Sequence, residues 1–171
     1  MNYPHRLCVQ LAPVTIRWGQ QAEIEERLHE AGFDIFRQPH ITLQTYKPDD
    51  NLVEQLSASL ERIASRYSKM TLRILGVGTF KDKGVVCLSI EKTRALQALQ
   101  SEIINMTTPG PWISTIRGWK WTPHISIARI GSNSRQWRKW EYQPHQSGEI
   151  EAKWLELTDW DKLDKRYELA I

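Results

Sequence analysis

The chain has 171 residues, a formal net charge of +3 and a hydrophobic content of 40%. That length suits one domain, and that hydrophobic content is enough for a core, which excludes the intrinsically disordered class. Its two cysteines, Cys8 and Cys87, are too few for a disulfide-stapled scaffold and favour a reduced, cytoplasmic setting. The small basic excess permits a polyanionic partner without demanding one.

The sequence does not support a membrane protein or a metalloprotein. No apolar run approaches the ~20 residues of a membrane span, and the start MNYPHRLCVQLAP has no signal-like pattern. Neither a CxxC pair nor an HExxH helix is present, so no metal site is predicted. We therefore expect a soluble protein without metal or cofactor.

The first half of the chain alternates between strand and helix patterns. Residues 5–12 have the period of a half-buried strand, and residues 18–31 have helical spacing that ends at Gly32. A short strand is predicted at residues 40–46. Asp49 and Asp50 then cap a helix whose apolar stripe is the clearest in the sequence, namely Leu52, Leu56, Leu60, Ile63 and Tyr67.

The second half begins with a predicted hairpin, residues 70–80 and 85–90, joined by the turn KDKG in which Gly84 supplies a permissive φ. A helix over residues 93–106 and a strand over residues 121–130 follow. The tail is predicted to form two final strands, at residues 149–160 and 166–171. This order predicts an α+β fold in which residues 1–171 form one domain.

The chain contains a loose internal repeat. A strand, a helix and the tetrapeptide PHIT, which ends at Thr42, recur as a strand, a helix and PHIS, which ends at Ser126. This repeat predicts two similar halves, packed so that their equivalent strands face one another.

The two tetrapeptides place chemistry-bearing residues in the same pattern. On a strand, side chains alternate, so His40 shares a face with Thr42, and His124 shares a face with Ser126. Imidazole transfers protons at neutral pH, and a hydroxyl can donate to a phosphate oxygen. Two such units across a cleft provide what phosphodiester cleavage needs without metal: a base, an acid and donors that stabilise the transition state.

One HxT tetrapeptide is weak evidence, because histidine and threonine are ordinary strand residues. Two copies, each preceded by proline and each after a strand and a helix, are much harder to obtain by chance. The sequence therefore favours a catalytic pair, His40 and His124.

The motifs HITL and HISI resemble the two HxTx or HxSx motifs of the two-histidine phosphoesterase superfamily, and within it the 2′-5′ RNA ligase family. The longer stretch TPHISIAR and the tail WLELTDWDKLDKRYELAI are also similar to that family. The resemblance implies a bilobal fold, with two pseudo-symmetric halves and antiparallel sheets around a central cleft. It also implies hydrolysis of RNA 2′,3′-cyclic phosphates, or reversible 2′-5′ ligation, without metal or cofactor.

The same resemblance assigns roles to residues. His40 and His124 take the catalytic role, and Thr42 and Ser126 hold the phosphate. The chain departs from the family in the polar continuation QTYKP after the first motif and in the serine of the second, which keeps the hydroxyl.

Further candidates concern RNA binding. Five of the eight tryptophans fall between Trp112 and Trp140, interleaved with arginines and lysines, a pattern typical of stacked bases and phosphates but also of cores and lids. Strand parity puts Lys120 on the face of His124 and Trp121 in the interior. Arg129 has the wrong parity unless the strand bulges or ends there, and is retained mainly through the resemblance. Tyr46 either stacks on a base or packs on a neighbouring element.

Three functions remain open at this point: an RNA 2′,3′-cyclic phosphodiesterase or 2′-5′ ligase, a cyclic phosphodiesterase for a small nucleotide (an ADP-ribose cyclic phosphate or a 2′-5′ oligoadenylate), and a catalytically silent RNA-binding module. The two intact histidine–hydroxyl units argue against the third. The expected partners are RNA ends or small cyclic nucleotides, bound by a monomer without membrane contact.

Overall fold

The structure is a computed structural model that describes residues 7–19, 21–47, 50–80, 84–106, 112–114, 120–130, 148–159 and 162–170. Within these ranges the elements are β1 (Leu7–Arg17), α1 (Gln21–Glu30), β2 (Phe33–Ile35), β3 (Ile41–Tyr46), α2 (Asp50–Ala64), β4 (Met70–Phe80), β5 (Val85–Ile90), α3 (Arg94–Asn105), β6 (Trp112–Ser114), β7 (His124–Ile130), β8 (Gly148–Asp159) and β9 (Lys162–Glu168).

The strands pair antiparallel into one sheet of order β2-β7-β5-β4-β8-β1-β3-β6, with β9 added beside β8. A further pairing joins β3 to β7. That pairing closes the path into a ring of six strands, β7-β5-β4-β8-β1-β3. The strand of the first motif therefore lies beside the strand of the second.

The apolar stripes of the helices are buried in a core shared with the strands. The stripe of α2 is buried, with Leu56 and Leu60 fully inaccessible. Thr93 caps α3 by accepting a hydrogen bond from the Leu96 backbone N–H at 3.2 Å, and the buried side of α3 includes Leu99 and Ile103. Together with the inward residues of the strands these side chains form one hydrophobic core.

The α+β fold class predicted from the sequence is confirmed: strands and three helices alternate among the described residues, and the sheet is antiparallel. The two halves correspond strand for strand. In the first half β3 pairs with β1, and in the second β7 pairs with β5, with each motif at the start of its strand. The hairpin of β4 and β5 is also confirmed, and Gly84 has φ 59°.

Several element bounds were predicted wrongly. The strand expected from residue 121 begins at His124, because Pro123 has no backbone N–H to donate to the ladder. The last strand begins at Lys162, opposite Asp159, and not at residue 166. The first helix begins at Gln21, and the short strands β2 and β6 were not anticipated.

No helix of the described part of the chain is both long and apolar enough to cross a bilayer.

Candidate active site

The pairing of β3 with β7 brings the two motifs together. Ile41 lies opposite Ile125, and both side chains are fully buried. In an antiparallel pair the neighbours of these residues are opposed as well, so His40 faces Ser126 and Thr42 faces His124. Each half thus supplies a histidine beside the hydroxyl of the other half.

The four side chains share one face of the sheet, here called the histidine face, because Ile41 and Ile125 point into the core between them. All four are partly exposed. The histidines are diagonal neighbours across the strand pair, a relation that typically separates two residues by about 7–8 Å, with their Cβ atoms somewhat closer. This spacing leaves room for a phosphate group between two imidazoles.

Both imidazoles are held in the same way. Nδ1 of His40 lies 3.0 Å from the Gln38 carbonyl oxygen, and Nδ1 of His124 lies 2.9 Å from that of Thr122. A carbonyl only accepts hydrogen bonds, so Nδ1 carries the hydrogen in both rings. In the neutral form Nε2 then has the lone pair, which is the arrangement a proton acceptor needs.

A β-bulge follows each motif. Val9 pairs with Gln44 and Gln10 with Thr42, so Leu43 is an extra residue in β3. In β7 the extra residue is Ile127, between the partners of Val86 and Cys87. A bulge shifts the alternation of side chains by one position. It therefore changes which later residues of each strand share the histidine face.

The bulge at Ile127 returns Arg129 to the histidine face, the condition that the sequence analysis set for this residue. Arg129 is exposed, lies opposite Asp34 on β2, and has its guanidinium 5.6 Å from the centre of the Phe36 ring.

The bulge at Leu43 has the opposite effect on Tyr46, which is buried in the core. Its side chain is 0% exposed and its hydroxyl donates to the Ile103 carbonyl of α3 at 3.3 Å. The stacking role offered for Tyr46 is therefore wrong, and the packing alternative is correct. Strict alternation predicted the wrong face because it did not include the extra residue.

The other RNA-binding candidates are only partly described. Trp121 is 7% exposed, as expected, and Lys120 is exposed. Both residues precede β7, so strand parity does not determine the face on which either of them lies. Most of the basic, tryptophan-rich segment, residues 115–119 and 131–147, lies outside the described residues.

The surroundings of the two motifs differ. The Phe80 ring packs edge-to-face against His124, with centroids 4.6 Å apart. On the other half, the Cys8 thiol lies 4.0 Å from Oγ1 of Thr42. Cys87, which lies opposite Ser126, is buried, and burial raises the pKa of its thiol to about 11.

A polar row that the sequence analysis missed continues from Thr42 across the histidine face. Thr42 lies opposite Gln10, Gln10 opposite Glu156 on β8, and Glu156 opposite Arg166 on β9. Gln10 donates to Glu156 at 2.8 Å, and Arg166 binds the same carboxylate through two nitrogens at 2.6 and 2.7 Å. Each residue alone is an ordinary polar strand position, and only the strand pairing connects them.

Among the described residues, no group of three or more histidine, cysteine or acidic side chains is arranged to hold a metal ion.

Comparison with known families gives one match over most of the chain. The model of the 2′-5′ RNA ligase superfamily matches residues 17–154, a span that includes both motifs.

Curated relatives match over a shorter span. A Bacillus cereus (strain AH820) protein named "Putative phosphoesterase" is 31% identical over 93 residues, which cover 53% of this chain and 51% of that protein. A protein of Bacillus mycoides (strain KBAB4) with the same description is 30% identical over 93 residues, with the same coverage. The chain thus matches about half the length of these relatives.

Solved structures match over nearly the whole chain. Escherichia coli LigT complexed with 3′-AMP has a TM-score of 0.65 at 18% identity, and the match covers 99% of this chain and 100% of the LigT chain. A protein of Thermus thermophilus has a TM-score of 0.64 at 17% identity, covering 96% and 97%. At these sequence identities the structural similarity shows a shared fold.

Proposed function

The chain belongs to the 2′-5′ RNA ligase superfamily, and from that membership we propose that it is a phosphoesterase that hydrolyses 2′,3′-cyclic phosphate ends of RNA with His40 and His124. The observation that carries the proposal is the pairing of Ile41 with Ile125. It supports the proposal because two imidazoles on one face, each beside a hydroxyl, could act on opposite sides of one phosphate.

The proposed step uses one imidazole as base and the other as acid. Nε2 of the neutral imidazole takes a proton from water as the water oxygen forms a bond to phosphorus. The bond from phosphorus to one ribose oxygen breaks, and the protonated imidazole gives its proton to that oxygen. The products are a phosphate monoester and a free ribose hydroxyl.

Thr42 and Ser126 support this step as hydrogen-bond donors. Each hydroxyl lies beside the histidine of the other half, where it can donate to a non-bridging phosphate oxygen. Donors fixed in place before the reaction stabilise the charge that develops in the transition state. Arg129, on the same face beyond Ser126, is proposed to add a cation near that charge, and Lys120 to contact RNA outside the reacting phosphate.

Ligation would be the same ring opening with a ribose 5′-hydroxyl in place of water. One imidazole takes the proton of that hydroxyl as its oxygen bonds to phosphorus, and the other protonates the ribose oxygen whose bond to phosphorus breaks. Any 2′-5′ ligase activity of this chain is therefore proposed to depend on the same two histidines.

The test is incubation of an RNA that ends in a 2′,3′-cyclic phosphate with the protein in EDTA, followed by identification of the product end. We expect hydrolysis that survives chelation, because imidazoles transfer both protons in the proposed step. The variants His40→Ala and His124→Ala serve as controls for contaminating nuclease. Activity that disappears in EDTA and returns with a divalent cation would overturn the proposed mechanism.

A further inference from the structure

The symmetry of the four motif residues leaves one property of the substrate undetermined. A phosphate between two equivalent histidine–hydroxyl units can be approached from either side, so these residues do not fix where the rest of the substrate lies. The residues next to them are not symmetric. Gln10 lies opposite Thr42 and next to Glu156, whereas their counterparts in the other half are Cys87 and Gly78.

The polar row therefore occurs on one side only, and it includes a buried charge. Glu156 is 4% exposed, and its carboxylate is bound by Gln10 on one side and by Arg166 on the other. Only the carboxylate of this ion pair is buried, and a pair whose cation is half exposed to water contributes little to stability. What this one does achieve is to hold the guanidinium of Arg166 in one orientation.

Trp154 gives the guanidinium a second support. The Arg166 guanidinium carbon lies 5.2 Å from the centre of the Trp154 ring, within the range of a cation–π contact. Trp154 shares the histidine face with Glu156, because the two residues are two apart on β8 and the register between them is continuous. Arg166 thus rests on an indole and is fixed at its edge by a carboxylate, while 47% of its side chain remains exposed.

The charge balance of this arrangement decides what it binds. The positive charge of Arg166 is compensated by Glu156 within hydrogen-bond distance, so the site offers little net attraction for a phosphate. What it offers is a planar, rigid surface. Nucleic-acid bases stack on such guanidinium planes as they do on aromatic rings.

We propose that Arg166, supported by Trp154 and Glu156, is a stacking subsite for the base of a nucleotide that precedes the cyclic phosphate end. This inference rests on the proposed function and deepens it, since it makes the substrate an oligonucleotide and not a mononucleotide. Three strand intervals separate Thr42 from Arg166, about 14 Å between backbones. The chain of the RNA then runs from the histidines across β1 and β8 toward β9.

The test compares two substrates: adenosine 2′,3′-cyclic phosphate and an RNA tetranucleotide ending in a 2′,3′-cyclic phosphate. We expect Trp154→Ala to lower kcat/KM for the tetranucleotide about 10-fold, within the range for one lost base stack. Its kcat/KM for the mononucleotide should stay within about 2-fold of wild type. Trp154→Phe keeps an aromatic face under the guanidinium and should restore most of the loss.

A second variant tests the proposed subsite without changing Trp154. Arg166→Lys keeps a charge beside the buried Glu156 but removes the plane, so it should lower the tetranucleotide rate as Trp154→Ala does. Arg73→Gln, at an exposed arginine of β4, is the matched control and should leave kcat/KM unchanged for both substrates. Equal effects of Trp154→Ala on both substrates would show a role in folding or catalysis and would overturn the subsite.

Salt separates base stacking from phosphate binding. The ratio of wild type to Arg166→Gln, which removes the charge together with the plane, should be nearly the same on the tetranucleotide at low and moderate salt, because stacking does not release counterions. A ratio that falls steeply with salt would identify a phosphate contact and contradict the proposal. A wild type that opens neither substrate would instead refute the proposed function itself.

Discussion

The two histidines have the same backbone setting and different neighbours. Each is oriented by a carbonyl two residues earlier in the chain, but only His124 has an aromatic ring, that of Phe80, against it among the described residues. The matched hydrogen bonds explain how the two motif segments present their imidazoles in equivalent orientations. The unmatched ring contact means that the two groups are chemically distinguishable.

Removal of either imidazole is expected to be severe. His40→Ala and His124→Ala should each lower kcat by ~10²-fold or more, the range for loss of a general acid or base. Thr42→Ala and Ser126→Ala should cost less, because each removes one donor to the phosphate. Steady-state kinetics on the cyclic-phosphate RNA would measure this, with circular dichroism to show that the variants fold. Folded histidine variants with near-wild-type rates would place the site elsewhere.

The two cysteines should respond differently to iodoacetamide. Cys87 is 5% exposed and the pKa of its thiol is about 11, so little thiolate forms at pH 8. Cys8 is partly exposed beside Thr42, so its alkylation should come first and should block the phosphate position.

Mass spectrometry and activity measured in parallel would follow this reaction. Cys8→Ser is the control, since it should stay active after treatment. Full alkylation of Cys8 without loss of activity would show that its thiol does not border the site.

At the scale of elements, the order of strands and helices could be predicted from the sequence because period-2 and helical patterns are local. The motif strands, the hairpin at Gly84 and the stripe of α2 follow from such patterns. The bulges at Leu43 and Ile127 could not be predicted, because an extra residue is visible only against the partner strand. They decide that Arg129 shares the histidine face and that Tyr46 does not.

The polar row illustrates the same limit. Gln10, Glu156 and Arg166 lie far apart in the sequence, and nothing in their local context marks them as neighbours. Their contact is a consequence of strand pairing across three strands. The histidine–hydroxyl units were found because each is a local pattern that occurs twice.

The position of Tyr46 leads to a prediction that separates stability from catalysis. Tyr46→Phe removes a buried hydrogen bond to the Ile103 carbonyl and should lower the free energy of unfolding by about 0.5–1.5 kcal/mol. The kcat/KM of the folded variant should be unchanged, since the ring lies on the core side of the sheet. Urea denaturation and kinetics on the same preparation would check both. A loss of activity at unchanged stability would instead indicate that Tyr46 contacts the substrate.

At the scale of the whole molecule, the ring of strands makes one site out of two halves. One half supplies His40 and Thr42 and the other His124 and Ser126, so neither half contains both members of the proposed acid–base pair. The pseudo-symmetry also means that the two histidines could exchange these proposed roles, as the reverse of ligation would require, without rearrangement of the protein.

A site with one neutral and one protonated imidazole should give a bell-shaped pH profile. The rate falls at low pH as the base becomes protonated and at high pH as the acid loses its proton. The two apparent pKa values belong to the pair.

Measurement of kcat/KM from pH 4 to 9 would show the bell. In the residual activity of His40→Ala or His124→Ala one limb should flatten, and the limb that flattens identifies the role of the missing residue. A rate that rises monotonically to high pH would contradict the two-histidine mechanism.

The contact between Ile41 and Ile125 also bears on how the molecule folds. It joins segments separated by about half the chain, and contacts of such long sequence separation are costly in chain entropy until the rest of the fold is in place. The neighbouring strand pairs, β4 with β5 and β8 with β9, are hairpins that can form locally. During refolding from urea, enzymatic activity should therefore return later than the secondary-structure signal, because the seam between β3 and β7 is completed only after both halves have formed.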